Sequence, residues 1–168
     1  LFALGESRLI KNYVQVCKNN INFIEKITKK TMDIAAANGH LHIVKWLHEN
    51  STKGCTNDAM DYAAAYGYLD VVKFLHENRK EGCTKYAMDY AAEYGFLDII
   101  KWLHENRKEG CTYYAMNMAS RNGFLDIVKW LYENNKPICM GSALYYANSN
   151  NNYRVYEYLQ SNYDNITY

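Results

Sequence analysis

Apolar positions recur with the period of an α-helix in two short runs that follow one another along the chain. The first run covers residues 56–66, and one side of its helical wheel collects Ala59, Met60, Tyr62, Ala63 and Tyr66. The second run covers residues 69–78, and its apolar stripe consists of Tyr68, Val71, Val72 and Leu75. Gly67 stands between the runs, and glycine ends helices because it adopts the left-handed conformation at little cost. The pattern predicts two short helices joined by a tight turn.

This two-helix unit recurs with a period of 28 residues. Segments 52–79, 80–107 and 108–135 are near copies, and a cysteine marks the same position in successive units at Cys55, Cys83, Cys111 and Cys139. Neither helix of a unit is long enough to be stable alone, so each unit needs its neighbours to cover its apolar surface. The sequence predicts an all-α solenoid of stacked helix-turn-helix units with short loops and little or no β-hairpin.

The same periodicity predicts a single domain over residues 1–168. We expect repeats at 24–51, 52–79, 80–107 and 108–135, an N-terminal cap at 1–23, and a degenerate repeat with a C-terminal cap at 136–168. Residues 7–19 predict an amphipathic helix that covers the first repeat. Asn151 stands where the other units have glycine, and asparagine is the next most tolerant residue of the left-handed conformation.

Residues 63–75, "AAAYGYLDVVKFL", and 91–103, "AAEYGFLDIIKWL", resemble the core of the ankyrin repeat, and residues 35–47 and 119–131 match it in the same register. The resemblance implies an ankyrin-repeat solenoid that binds a protein partner, with its first helices lining the concave face. The unit is shorter than the family's repeat of about 33 residues, which predicts a tight connection in place of the hairpin. The sequence of the repeat is similar to the repeats of ankyrin proteins encoded by giant DNA viruses of amoebae, the mimivirus type.

We use the word ladder for residues at the same position of successive repeats. In one polar ladder, other residues stand in place of the histidine with which the family joins neighbouring repeats. Its members are Asp33, Asp61, Asp89 and Asn117. We expect these side chains to make structural hydrogen bonds between repeats, and the alternative is that they form part of a binding groove.

For three further ladders we expect a role in packing and no role in catalysis or metal binding. Stacked helices lie about 8–10 Å apart, too far for the cysteines to pair, so we expect buried thiols in a reducing, intracellular compartment. A second ladder consists of His48, His76, His104 and Tyr132, and a position that accepts tyrosine is not a metal ligand. The third consists of Trp46, Phe74, Trp102, Trp130 and Tyr158, for which we expect contacts between repeats.

Composition narrows the class of partner. The chain carries 19 Lys and Arg against 18 Asp and Glu, so nucleic acid is not expected as the main partner. The sequence contains no run of about 18 apolar residues, so we do not expect a membrane-spanning helix. No phosphate-binding glycine loop, nucleophile motif or carboxylate pair stands out. The sequence therefore predicts a non-enzymatic protein with no cofactor, no metal and no small-molecule substrate. The resemblance to giant-virus ankyrin proteins implies a location in the cytoplasm of an infected host cell or in a virion.

Differences among the copies suggest where a partner binds. A helical wheel places positions 57, 58, 61 and 65 on one arc opposite the apolar side, and the copies differ at three of these positions. Tyrosine recurs there and arginine occurs once, and both are enriched at interface hot spots. The predicted partner-binding residues are Asp58, Lys85, Tyr86, Glu93, Tyr113, Tyr114 and Arg121. The alternatives are sequence drift on a solvated face and, for the function, a structural component of a larger complex or viral particle.

Overall fold

A computed structural model describes residues 26–135 and 140–164, and in these two stretches the backbone forms ten α-helices and no strand. The helices are α1 (Lys29–Ala37), α2 (Leu41–Asn50), α3 (Asp58–Ala65), α4 (Leu69–Asn78), α5 (Lys85–Tyr94), α6 (Leu97–Asn106), α7 (Tyr113–Arg121), α8 (Leu125–Asn135), α9 (Met140–Ser149) and α10 (Tyr153–Asp164). The all-α prediction is confirmed. The predicted N-terminal cap, the helix at 7–19 and Cys139 lie outside the described residues.

The helix boundaries follow from local chemistry. The second helix α4 covers the predicted residues, whereas α3 begins two residues later than the predicted start at Thr56. Thr56 is held out of the helix because its N–H and hydroxyl both donate to the Asp33 carboxylate of the preceding unit. After α3 the chain turns at Gly67, whose φ of 85° is left-handed, and Asn151 takes the same role with a φ of 58°.

Alternate helices form two layers. The first helices of the units, α1, α3, α5, α7 and α9, pack side by side in succession, and each also packs on its own second helix. Alanines such as Ala59, Ala63, Ala87 and Ala91 are fully buried between them, and small side chains let helices approach closely. Neighbouring second helices make fewer contacts. The closer spacing makes the first-helix layer the inner side of the stack.

The core is continuous along the stack and lies between the two layers. Each second helix contributes buried aliphatic side chains at equivalent positions, such as Leu47, Leu75, Leu103 and Leu131. Burying one such leucine stabilises the fold by about 2–3 kcal/mol relative to leaving it exposed. Because every unit adds the same contacts, stability accumulates from local interfaces.

The aspartates make hydrogen bonds between neighbouring units, as the sequence predicted, and the structure identifies threonines as their partners. The Asp89 carboxylate accepts hydrogen bonds from the N–H and the hydroxyl of Thr112, both at 2.8 Å, and Asp33 binds Thr56 in the same way. The ladder ends at Asn117, whose Oδ1 has no hydrogen-bond partner among the described residues. The threonine position of the next unit is Met140, which offers no such donor from its side chain.

Aromatic side chains join the second helices, which confirms the predicted contacts between repeats. The His76 and Trp102 rings meet edge-on with centroids 5.1 Å apart, and the His104 and Trp130 rings do so at 5.0 Å. Tyr132 replaces histidine in the last of these pairs and meets the Tyr158 ring at 6.0 Å.

No helix in the described stretches combines the length and the hydropathy that crossing a membrane requires, and the longest has 12 residues.

Candidate interaction surface

Each inner first helix is covered by its neighbours on all but one narrow stripe. In α3 the residues Ala59–Asp61 and Ala63–Ala65 are buried, and the open stripe consists of Asp58, Tyr62 and Tyr66, four residues apart. The equivalent stripe of α5 consists of Tyr86, Tyr90 and Tyr94. Residues that lie one helical turn apart share a face, so each stripe runs along the helix.

This arrangement corrects the predicted orientation of the first helix. Tyr62 and Tyr66, which the wheel placed on the core side, are 41% and 51% exposed. Asp61 and Ala65, which it placed on the exposed arc, are 4% and 2% exposed. The reason is that α3 packs against first helices on both flanks and against α4 behind, so its small residues face the neighbours and its tyrosines remain outside.

Six tyrosines on three consecutive first helices form one connected set, here called the tyrosine cluster. Its members are Tyr62, Tyr66, Tyr86, Tyr90, Tyr94 and Tyr114. Across the boundary between α3 and α5, the rings of Tyr62 and Tyr90 stack at 6.4 Å with an interplanar angle of 11°. The rings of Tyr66 and Tyr94 lie 6.3 Å apart.

The cluster continues along α5 and onto α7. The Tyr86 and Tyr90 rings stack at 5.5 Å, and the Tyr114 ring meets that of Tyr90 edge-on at 6.4 Å. Offset-stacked and edge-on arrangements are those that aromatic pairs prefer. The rings therefore support one another on a surface that remains largely open to solvent.

One member of the cluster is fixed by a hydrogen bond. The Tyr114 hydroxyl donates to the Glu93 carboxylate at 3.0 Å. Burial and this carboxylate raise the pKa of Tyr114 to about 12. Burial also raises the pKa of Tyr90, and the neighbouring tyrosines add to this effect. Both residues remain neutral hydrogen-bond donors at neutral pH.

The predicted site residues divide into two groups in the structure. Tyr86, Tyr114 and Glu93 come together in and beside the tyrosine cluster. The others, Asp58, Lys85, Tyr113 and Arg121, are exposed on the first helices, Tyr113 at 70%.

Sequence reasoning missed four members of the cluster, Tyr62, Tyr66, Tyr90 and Tyr94. The signal was the recurrence of tyrosine at the same two positions, four residues apart, in consecutive repeats. We interpreted these positions as core because their helical spacing suits burial equally well.

Two open grooves flank the cluster. A groove of about 300 Å³ lies between α1 and α3, where Ile34, Lys30 and Asp58 line it together with Tyr62 and Tyr66. A second, of about 610 Å³, lies toward the ends of the first helices, and its lining includes Asn38, Tyr66, Tyr68, Tyr94 and Phe96. Aromatic walls and open sides suit a segment of polypeptide better than an enclosed small molecule.

Polar groups beneath this surface are occupied by structural contacts. Asp33, Asp61 and Asp89 accept hydrogen bonds from threonines, and burial raises the pKa of Asp61 and Asp89. Burial also raises the thiol pKa of Cys55 and Cys83 to about 11, which keeps these free cysteines protonated. Within residues 26–135 and 140–164, no group of three or more His, Cys, Asp or Glu is placed to hold a metal ion.

Comparison with protein families identifies the repeat. Residues 88–168 match a family model for ankyrin repeats in three copies, and residues 32–76 and 60–104 match a model for ankyrin repeats in many copies. The chain is an ankyrin-repeat solenoid. Ankyrin repeats generally mediate protein–protein interactions. Among curated proteins, none matches the chain at a significant level.

In this ankyrin-repeat solenoid the tyrosine cluster lies on the inner, first-helix side. It spans the central units, and these units differ from one another there. Asp58 occupies the repeat position that Tyr86 and Tyr114 hold in the next two units. Met118 occupies the position that Tyr62 and Tyr90 hold in the two preceding units. The scaffold is thus repeated while the surface it presents is not.

Proposed function

We propose that the protein is a non-catalytic interaction module, an adaptor that binds a protein partner on its inner first-helix face. The observation that carries this proposal is the tyrosine cluster. Tyr66, Tyr86 and Tyr94 are each more than half exposed, yet their rings are ordered by contacts with other cluster members. Tyrosine is among the residues that dominate binding energy at interfaces.

Preorganisation supports this function. A tyrosine side chain has few rotatable bonds and buries a large area, so it binds at a low cost in conformational entropy. Ring contacts within the cluster already restrict the side chains, which lowers that cost further. A partner segment that covers the rings would therefore recover most of the free energy of their burial.

A polar rim surrounds the cluster and suits the edge of an interface. Lys85, Tyr113 and Arg121 are exposed on α5 and α7, and Asp58 is exposed on α3. Rim charges of this kind set specificity and association rate more than affinity. We include these predicted residues in the binding surface as its periphery, with Glu93 positioning Tyr114.

The biological setting is also a proposal. Similarity of the 28-residue repeat to the ankyrin proteins of giant DNA viruses supports a viral source and a partner in the infected host cell. Protonated, buried thiols suit a reducing, intracellular compartment. The nearly balanced net charge of +1 supports a protein partner over nucleic acid, and the occupied carboxylates support a function without cofactor, substrate or catalysis.

The second candidate is a structural component of a larger complex or viral particle. It is favoured by the exposed aromatic residues Tyr153 and Tyr163 on α10, at 60% and 40%. Trp102 and Trp130 of the second helices do not add to this surface, because they pack edge-on against histidines of neighbouring units.

Affinity capture from the native cell type with mass spectrometry tests the proposal. The wild type is compared with a cluster variant, Tyr66→Ala/Tyr86→Ala/Tyr94→Ala, and with a control, Tyr153→Ala, that removes an equally exposed ring elsewhere. Circular dichroism verifies that all three are folded. We expect a partner that the control retains and the cluster variant loses. Equal retention by both variants would exclude the cluster, and loss in the control alone would favour the structural role of α10.

A further inference from the structure

Exposed lysines collect where the first helices begin. Six lie in the first turns of these helices or in the connections that precede them: Lys29, Lys30, Lys53, Lys80, Lys85 and Lys108. These connections and first turns recur in successive units of the stack, and the six residues on them are here called the lysine edge. None of the six forms a salt bridge within the described part of the chain.

The carboxylates at this edge are mostly engaged elsewhere. Glu81 pairs with Arg79 at 2.6 Å, and Glu109 pairs with Arg107 at 2.5 Å. Both ion pairs are partly buried, and within each pair the positive and negative charges neutralise one another.

The other acids near the edge differ in their placement. Asp33, Asp61 and Asp89 are buried beneath the edge against threonines. Glu49, Glu77 and Glu105 lie on the second helices, which form the outer layer. On the inner side Asp58 is exposed, while Glu93 is half-buried and accepts a hydrogen bond from the Tyr114 hydroxyl. Among the described residues the edge therefore carries more lysines than exposed carboxylates, in a chain of net charge +1.

The lysine edge and the tyrosine cluster adjoin one another. Lys30 lines the same groove of about 300 Å³ as Tyr62 and Tyr66, and the buried Asp33 and the exposed Asp58 line it too. Lys85 directly precedes Tyr86 in the first turn of α5. A ligand that covers the rings therefore meets ammonium groups at its margin.

The hydroxyls of the cluster also favour an acceptor-rich ligand. Those of Tyr62, Tyr66, Tyr86, Tyr90 and Tyr94 make no hydrogen bond within the described stretches. Each is a donor that a carboxylate oxygen can satisfy. A basic segment would instead place its cations against the lysine edge, and like charges brought together in this way oppose binding.

Ring spacing indicates the conformation of the ligand. Tyr62 to Tyr90 and Tyr66 to Tyr94 are separated by 6.4 and 6.3 Å between centroids, each across a boundary between units. An extended chain advances about 6.6 Å every two residues, with alternate side chains on one side. Alternate side chains of an extended segment that crosses the first helices therefore fall in register with successive rings.

We propose that the segment bound by the tyrosine cluster is an acidic, extended peptide, with alternate apolar side chains on the rings and Asp or Glu side chains facing the lysine edge. This inference rests on the proposed function, since it names the chemistry of the partner at that same surface.

Selection from a displayed library of random peptides about 12 residues long tests the inference. Peptides are selected on the wild-type protein after depletion on the cluster variant Tyr66→Ala/Tyr86→Ala/Tyr94→Ala. We expect the enriched peptides to be acidic and to carry apolar residues at alternate positions. Enrichment of neutral or basic sequences, or no enrichment, would overturn the inference.

Charge variants then locate the site of the best selected peptide. Lys30→Glu/Lys85→Glu should weaken its binding about tenfold or more, whereas Lys73→Glu/Lys101→Glu, the same charge change on the second helices, should leave it within about twofold. Equal effects of both pairs would contradict a site at the lysine edge. A single-stranded RNA of equal length that competes at lower concentration than the peptide would assign the edge to nucleic acid and overturn the inference.

The two proposals fail separately. A cellular partner that is captured through the cluster but proves to dock by a neutral or basic segment removes only the acidic-peptide inference. A cellular partner retained by the cluster variant removes the proposed function, whatever the library selects.

Discussion

The Asp61 carboxylate of one unit accepts two hydrogen bonds from Thr84 of the next, at 2.8 Å from its N–H and at 2.6 Å from its hydroxyl. Asp61 is 4% exposed, so the contact is shielded from water. Thr84 also caps α5, because its hydroxyl oxygen accepts a hydrogen bond from the Tyr86 N–H. One aspartate thus fixes both the spacing of two units and the start of a helix that carries the tyrosine cluster.

Removing this carboxylate should destabilise the fold. Asp61→Ala leaves the Thr84 donors without a partner, and we expect the free energy of unfolding to fall by about 1–3 kcal/mol. Asp61→Asn keeps one acceptor oxygen for the Thr84 N–H but places an NH2 group, which cannot accept, opposite the Thr84 hydroxyl. It should cost about 0.5–1.5 kcal/mol. Urea unfolding followed by circular dichroism measures both. Equal losses for the two variants would show that the hydrogen bond from the Thr84 N–H, which Asp61→Asn retains, does not stabilise this junction.

Glu81 should make stability depend on acid pH. Burial acts to raise its pKa, but hydrogen bonds from Arg79 and from the Cys55 N–H outweigh burial and lower the pKa to about 2. A folded-state pKa below the ordinary value of 4.5 gives a contribution that is present above about pH 5 and is lost as the pH falls toward 2. Glu81→Gln should therefore destabilise the protein at pH 7 by about 1 kcal/mol, since the pair is partly exposed.

The measurement compares the free energy of unfolding of wild type and Glu81→Gln between pH 7 and pH 3. Their difference should shrink with falling pH. Asp61 and Asp89 act in the opposite sense, since burial raises their pKa and protonation then favours the folded state, but both proteins share them. A difference that is constant with pH would contradict this role of Glu81.

Two glycines with similar backbone conformation should respond differently to alanine. Gly67 has a φ of 85°, and an added Cβ would lie 2.5 Å from Phe96 Cε1. Gly110 has a φ of 67° but no atom within 4 Å of that position. Gly110→Ala should cost about 1–2 kcal/mol for the left-handed conformation alone, and Gly67→Ala should cost at least about 1 kcal/mol more. Thermal unfolding distinguishes them, and equal losses would mean that the Phe96 ring moves aside freely.

Contacts within the tyrosine cluster should be measurable as a coupling between units. A double-mutant cycle of Tyr66→Ala and Tyr94→Ala should give an interaction energy of about 0.5–1 kcal/mol. The matched cycle of Tyr66→Ala and Tyr153→Ala, which joins residues without a ring contact, should give a value near zero. Neither single variant should unfold the protein, because both rings are more than half exposed. A coupling of zero in the first cycle would mean that the rings are not preorganised.

Much of the fold could be predicted from the sequence because the residues of one interface recur in several successive repeats. The period of 28 residues, the bounds of α4 and the structural role of the aspartate ladder all follow from positions that recur among the units. The length of α3 was predicted less well, since a hydrogen bond to Asp33 in the preceding unit holds Thr56 outside the helix. A single unit does not contain that information.

The candidate site was predicted only in part for a related reason. Tyr86, Tyr114 and Glu93 were identified because they differ among the copies, whereas Tyr62 and Tyr66 were assigned to the core. A helical wheel shows which residues share a face, but it does not show which faces the neighbouring helices cover.

The sequence by itself determined that this protein is a stack of two-helix units, because each unit has apolar surface that only another unit can bury. Tertiary structure alone decided the orientation of the first helices. Close packing on both flanks admits alanine and excludes the tyrosine ring, so the small residues turned inward and the tyrosines of α3 and α5 met across the boundary between their units.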